Sequence, residues 1–68
     1  MNMIEVESSN IESVGYENNQ LFVKFKSGGL YAYKNVPSAL YQQFLTAESK
    51  GKYFFSHIKG KFDFEKSS

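Results

Sequence analysis

The chain has 68 residues, a formal net charge of +1, a single histidine and no cysteine. This length accommodates one hydrophobic core and one domain, and the composition excludes stabilisation by disulfides or by a cluster of histidines around a metal. Seven phenylalanines and five tyrosines are available instead, and each large ring buries about 150–250 Å². We therefore expect one domain over residues 1–68, with an ordered core at about 8–62.

The first ten residues contain neither a basic stretch nor an apolar run, so they do not resemble a secretory signal. No segment approaches the ~20 apolar residues that a membrane span requires. The absence of cysteine is typical of a reducing compartment. These features predict a cytoplasmic protein with no membrane partner.

Charge is distributed unevenly along the chain. Residues 1–19 carry four glutamates and no lysine, whereas residues 20–61 carry seven lysines and one glutamate. Such asymmetry favours an anionic partner. All eight cations are lysines, so the planar fork with which arginine binds phosphates and guanines is missing.

Turn signals divide the first half of the chain into strands. Asn18-Asn19 and Gly28-Gly29 belong to polar or glycine clusters that close hairpins, because these residues tolerate positive φ. Between the two turns, Leu21, Val23 and Phe25 alternate with Phe22, Lys24 and Lys26, which is the pattern of a half-buried strand. The predicted strands are residues 11–16, 21–25 and 30–34, with Tyr31 and Tyr33 on one face of the third.

The second half of the chain predicts helices. Pro37 is suited to the first turn of a helix, and Val36 should be the last extended residue before it. An apolar stripe at helical spacing continues to about Ser49. Residues 53–58 predict a second, short helix, with a strand as the alternative, and residues 62–64 a brief strand or a tail. The predicted fold is α+β, a three-stranded antiparallel β-meander followed by one long and one short C-terminal helix.

The side chains do not predict an enzyme, a metal site or a cofactor. His57 is the only histidine and adjoins Ser56 and Ile58, but neighbouring residues on a helix do not face one another. The glutamates lie mostly in the N-terminal segment or in turns, where solvated roles are the rule. The glycines lack the strand–glycine–helix context of a phosphate-binding loop.

Residues 50–61 contain four lysines on either side of a group of aromatic residues, and no acidic residue occurs there. In small domains this combination binds single-stranded nucleic acid, because rings stack on bases and cations neutralise phosphates. The hypothetical binding residues are Lys50, Lys52, Tyr53, His57, Lys59 and Lys61, together with Tyr31 and Tyr33 on the sheet. Phe54, Phe55 and Ile58 are expected in the core, and the two sheet tyrosines are equally compatible with it.

The leading hypothesis is a non-enzymatic module that binds RNA or another single-stranded nucleic acid. The alternative is a protein-interaction or homodimerisation module, which would use an aromatic patch or an open sheet edge.

A series of short motifs resembles the KTSC domain, a family known from the C-terminus of some lysyl-tRNA synthetases. The motifs extend over about residues 8–62: Val14-Gly15-Tyr16, residues 21–25 with Gly28, Tyr31-Ala32-Tyr33, Val36-Pro37, residues 47–54 and His57-Ile58. The resemblance implies a free-standing, bacterial, single-domain protein with a link to RNA. Relatives commonly carry arginines near the position of Ser56, whereas this chain has Ser56, Lys59 and Lys61, which argues against base-specific readout.

Overall fold

The computed structural model describes residues 2–67, which form a five-stranded antiparallel sheet and two helical segments. The strands are β1 (Ile4–Glu5), β2 (Ile11–Glu17), β3 (Gln20–Phe25), β4 (Leu30–Tyr33) and β5 (Phe64–Lys66). The helices are α1 (Ser38–Thr46) and α2 (Lys50–Tyr53), and α2 continues into a π-helical turn at Phe54–Ile58.

The strands lie side by side in the order in which they occur in the chain. Both helical segments are inserted between β4 and β5, and β5 then returns to pair with β4, so that Tyr33 lies opposite Phe64. Tight turns join β2 to β3 and β3 to β4, as the Asn and Gly clusters predict: φ is 53° at Asn18, 62° at Asn19 and 96° at Gly29. These angles lie in the region that glycine and asparagine tolerate best.

The prediction of a three-stranded sheet was wrong, because the sheet has two further strands at its edges. β1 contains two residues and β5 contains three, which is too short for an alternating pattern to stand out in the sequence. The predicted strands 11–16, 21–25 and 30–34 are present with nearly the same bounds.

The prediction of one long and one short helix was only partly right. α1 ends at Thr46 because Ala47 returns to an extended conformation, with φ −66° and ψ 142°. Ser49, expected to be the end of that helix, instead begins the next one: its hydroxyl oxygen accepts a hydrogen bond from the Lys52 amide at 3.3 Å. The second segment, with four α-helical and five π-helical residues, is as long as the nine residues of α1.

The core lies between the helices and one face of the sheet. Alternate residues of β3 point into it, as the period-two pattern predicts, whereas an irregularity between Ile11 and Ser13 breaks the alternation in β2. The helices add three residues that are almost fully buried, Phe44, Phe54 and Ile58. The strand residues of the core are Ile11, Val14, Leu21, Val23 and Tyr33. Burial of these apolar groups is the main force that holds the helices on the sheet.

Candidate functional site

An aromatic groove of about 290 Å³ lies between the π-helical turn and the β4–β5 edge of the sheet. Two exposed rings form its sides. Solvent reaches 50% of the surface of Phe55 and 54% of the surface of Phe64. The other residues around it are Phe25, Ser27, Gly28, Tyr31, Tyr33, Phe54 and Lys59. The lining therefore contains one cation and no carboxylate, a combination suited to an aromatic group carrying negative charge.

The register of β4 and β5 places Phe64 in the groove. Phe64 lies opposite Tyr33, and Tyr31 is two residues earlier on the same face of β4. The Phe64 ring centroid is 5.3 Å from that of Tyr33 and 5.7 Å from that of Tyr31. These separations are typical of attractive aromatic contacts, so the partly exposed ring is held in a defined position.

The π-helical turn places Phe54 and Phe55 in different environments. Phe54 is 1% exposed and its ring contacts Phe25 and Tyr33 edge-on, with centroids 5.4 and 5.3 Å apart. Phe55, which was expected in the core, is instead half exposed, because the neighbouring position on a helix points elsewhere. Lys59 Nζ lies 4.9 Å from the Phe55 ring centroid, which is a cation–π contact.

The two sheet tyrosines contribute differently. Tyr33 is only 4% exposed and belongs to the core, so its ring cannot stack on a ligand from outside. Burial, with a smaller contribution from the neighbouring Tyr31, raises the pKa of its hydroxyl above the ordinary value of 10.0. Tyr31 is half-buried, and its ring lies edge-on to Phe25 at 5.6 Å. Of the predicted pair, only Tyr31 therefore offers a ring surface to the groove.

A polar depression adjoins the groove across the Phe55 ring. It is lined by Glu7, Ser8, Ser9, Asn10, Glu48, Ser49, Lys50, Gly51 and Lys52 in addition to Phe55. Gly51 keeps it open, since a Cβ at this position would lie 3.8 Å from both Ser8 Oγ and Asn10 Nδ2. Two lysines and two glutamates share the depression, so its formal charge is balanced.

Tyr53 and His57 lie on another side of the second helical segment. The Tyr53 hydroxyl donates a hydrogen bond to Gln43 Oε1 of α1 at 3.0 Å, and the Tyr53 and His57 rings are 4.4 Å apart. Neither residue lines the groove or the polar depression. Lys61 lies next to Phe64, in a shallow depression that also contains Asp63.

Lysines on the opposite face of the sheet are paired with carboxylates. Lys24 Nζ lies 3.5 Å from Glu12 Oε2, and Lys34 Nζ lies 2.7 Å from Glu65 Oε1. The hydrogen bond from Lys34 lowers the pKa of the Glu65 carboxyl, and the opposite charge adds to the effect. Within residues 2–67 no such ion pair involves Lys50, Lys52, Lys59 or Lys61. The four lysines at residues 50–61, on or just after the second helical segment, thus lack the acidic partners that Lys24 and Lys34 have.

Within residues 2–67, no three acidic, histidine or cysteine side chains are grouped closely enough to hold a metal ion. In the same part of the chain, neither helical segment has the length and apolarity that a membrane crossing requires.

A family model described as the KTSC domain matches residues 7–62. The chain belongs to the KTSC domain family. In fold, this KTSC domain is similar to the crystal structure of a KTSC domain protein from Yersinia pestis, with a TM-score of 0.96 and 40% sequence identity over 98% of this chain and 97% of that one. The resemblance that the sequence motifs indicate is therefore confirmed.

Relatives of this KTSC domain occur in chains of different lengths. It is 38% identical to a lysine–tRNA ligase of Trichormus variabilis over 97% of its own length, but it spans only 12% of the ligase. It is 41% identical to an uncharacterized protein of Stutzerimonas stutzeri, over 79% of each chain. The family thus includes both a segment of a large enzyme and small proteins.

The predicted site residues of this KTSC domain are not all brought together. Lys59, Tyr31 and the buried Tyr33 line the groove, and Lys50 and Lys52 line the adjoining depression. The two exposed rings, Phe55 and Phe64, were not predicted as site residues. Helical spacing could have identified Phe55, because Phe54 and Ile58 share one face while Phe55 and Lys59 share another. Phe64 depends on β5, which the sequence indicated only as one of two alternatives, a brief strand or a tail at residues 62–64.

Proposed function

We propose that this KTSC domain binds single-stranded RNA or a related single-stranded nucleic acid in the aromatic groove. The observation that supports this most is the pair of half-exposed phenyl rings, Phe55 and Phe64, in a groove with Lys59 and no carboxylate. Stacking of one base on an aromatic side chain contributes about 1–3 kcal/mol. Lys59, in the groove itself, is available to a phosphate, since it is not paired with an acid of residues 2–67.

The chemistry of the groove favours a single strand bound with little sequence preference. Bases within a duplex are stacked on one another and cannot reach a ring in a groove, whereas a single strand presents their faces. The groove contains no arginine, asparagine or glutamine with which to read the edge of a particular base. Every base has an aromatic face, so stacking tolerates any sequence.

The relatives also support a nucleic-acid ligand. The Trichormus variabilis protein is by name a lysine–tRNA ligase, so a KTSC segment occurs in a protein whose named substrate is an RNA. We extend this association to the present chain as part of the proposal, on the strength of the groove.

An NMR titration of isotope-labelled protein with a mixed-sequence single-stranded RNA tests the proposal. We expect shifts at Tyr31, Phe55, Lys59 and Phe64, and a loss of affinity of about tenfold in Phe55→Ala, the equivalent of one stacked base. Ile4→Ala is the matched control, because this apolar side chain is also about half exposed (49%) but lies on β1, at the opposite edge of the sheet. A spectrum that does not change at low salt with either RNA or single-stranded DNA would exclude the proposed function.

A protein partner or a second copy of the chain is the alternative, favoured by the position of Phe64 on β5. This strand pairs only with β4 among the described strands and exposes 54% of Phe64, and an unpaired edge with an exposed ring is suited to strand addition. Sedimentation equilibrium distinguishes the homodimer form: a dimer that Phe64→Ala converts to a monomer would support it, and a monomer at millimolar concentration would exclude it.

A further inference from the structure

The Phe55 ring separates an apolar environment from a polar one. On one side lies the aromatic groove, and on the other lie the polar depression around Gly51 and a second depression, in which Phe25 and Phe55 are joined by Ser9, Asn10, Lys26 and Ser27. Asn10 lines both of these depressions together with Phe55. A ligand with a flat ring in the groove would therefore extend its next chemical group past the edge of Phe55 toward Asn10.

The backbone of Asn10 is held in place on both sides. Its amide donates to Ser8 Oγ at 3.3 Å, and its carbonyl oxygen accepts from the Lys26 amide at 2.8 Å. Its side-chain amide is exposed and has no hydrogen-bond partner within residues 2–67. An amide of this kind offers two donors and one acceptor, so Asn10 presents a polar group on a backbone that is held in place, and no hydrogen bond within residues 2–67 uses that group.

The charge of the polar depression around Gly51 indicates which group it accommodates. Glu7 and Glu48 lie there beside Lys50 and Lys52, so a phosphate would meet two carboxylates as well as two ammonium groups. A neutral hydroxyl avoids that repulsion and can both donate and accept hydrogen bonds. In a nucleotide whose base occupies the groove, the neutral group nearest to the base is the sugar.

We infer that Asn10 binds the ribose 2′-hydroxyl of a nucleotide whose base is stacked on Phe55, and that it thereby makes the groove selective for RNA over DNA. This inference rests on the proposed function. The 2′-hydroxyl distinguishes the two nucleic acids chemically, since it both donates and accepts hydrogen bonds. One added hydrogen bond corresponds to a preference of about fivefold.

Two oligonucleotides that differ only in the 2′-hydroxyl test the inference, hexauridylate and its 2′-deoxy counterpart, with affinities measured by fluorescence anisotropy. We expect the wild-type protein to bind the ribo-oligomer about fivefold more tightly. Asn10→Ala should bring the ratio of the two affinities close to one, because it weakens the binding of the ribo-oligomer only. Gln42→Ala is the matched control, because it removes a side-chain amide that is also exposed but lies on α1, away from these depressions. It should leave the ratio of the two affinities unchanged.

A second variant tests the same contact without removing the amide. Gly51→Ala places a methyl group 3.8 Å from Asn10 Nδ2, where it narrows the depression without a clash, and alanine is favoured over glycine in a helix. We expect a folded protein with a reduced preference for the ribo-oligomer.

The outcomes separate the inference from the function on which it rests. Equal binding of both oligomers by the wild-type protein, with shifts at Phe55 and Phe64, would overturn the role of Asn10 and leave the groove as the binding site. If Asn10→Ala weakened the binding of both oligomers equally, the inference would also be overturned. Binding of neither oligomer would overturn the inference together with the proposed function.

Discussion

Phe54 and Phe55 are adjacent in the chain, yet 1% of the first side chain is exposed and 50% of the second. Removal of the Phe54 ring should leave a cavity between Phe25 and Tyr33, whose rings contact it directly. We expect Phe54→Ala to lower the free energy of unfolding by about 3–5 kcal/mol. Urea denaturation followed by far-UV circular dichroism measures this change.

Phe55→Ala is the control for that experiment, since it removes the same ring from the neighbouring position. Its effect on the free energy of unfolding should stay below about 1 kcal/mol, because the ring is half in contact with water. The two variants should thus separate stability from binding: the Phe54 ring is needed for a stable fold, and the Phe55 ring for binding of the nucleic acid. Equal destabilisation by both substitutions would contradict the assignment of Phe55 to an exposed site.

The Tyr33 hydroxyl makes stability depend on alkaline pH. Burial raises the pKa of this group above 10.0 in the folded protein, while in the unfolded chain it titrates at its ordinary value. Above about pH 10 the unfolded state therefore binds fewer protons than the folded state, and the free energy of unfolding falls as pH rises. We expect Tyr33→Phe to lose less stability than the wild-type protein between about pH 9 and pH 11.

Urea denaturation at several pH values measures that difference. Lysine titration affects both proteins equally, so the comparison isolates Tyr33. Parallel stability curves for the two proteins would show that the hydroxyl titrates alike in the folded and unfolded states, against the expectation from its burial.

At the scale of elements, the turn between β2 and β3 consists of two residues with positive φ, Asn18 at 53° and Asn19 at 62°. An L-residue other than asparagine or aspartate pays roughly 1–2 kcal/mol in this region, whereas glycine does not. We expect Asn19→Ala to be less stable than Asn19→Gly by about 1 kcal/mol. The two midpoints of urea denaturation provide the measurement.

Comparison of these two variants controls for the side-chain contact that both lose, the hydrogen bond that Asn19 Oδ1 accepts from the Tyr16 hydroxyl at 3.3 Å. The Asn19 carbonyl, which accepts from the Val36 amide at 2.8 Å, is present in both. Equal stabilities would mean that backbone strain at Asn19 does not contribute, and that the side-chain contact determines the effect of substitution.

Elements with strong local signals were predictable from the sequence, and those that depend on distant pairing were not. β2, β3 and β4 are bounded by turn residues and β3 alternates clearly, so their positions follow from the sequence, whereas the irregularity in β2 and the burial of Tyr33 do not. β5 exists because residues 64–66 pair with residues 31–33, about thirty positions earlier in the chain. Tertiary contacts, rather than local propensity, form such a strand.

The same distinction applies to the candidate site. The concentration of lysines at residues 50–61 is visible in the sequence, and Lys59 does lie at the groove. The direction of each side chain around the helix was not predicted, so Tyr53 and His57 were grouped with residues from which they point away. The π-helical turn adds to this difficulty, because it changes the angle between successive side chains and has no distinct sequence signal.

At the scale of the whole molecule, the charges are arranged by face. Two lysines on the helix-free face of the sheet, Lys24 and Lys34, are paired with Glu12 and Glu65, whereas the lysines near the groove have no such partner within residues 2–67. The glutamates of the N-terminal segment thus offset only part of the positive charge of the rest of the chain. An anion should therefore be attracted mainly to the helical side.

This arrangement predicts which lysines determine the salt dependence of RNA binding. Each phosphate contact on a single strand contributes about −0.7 to the slope of log K against log salt concentration. If Lys59, in the groove, and Lys61, beside Phe64, each contact one phosphate, replacing both with alanine should make the slope less negative by about 1.4. Replacing Lys24 and Lys34 removes the same charge from the opposite face and should leave the slope unchanged. Anisotropy titrations over a range of salt concentrations measure both slopes, and an equal change in the two double variants would indicate attraction by net charge alone rather than binding at the groove.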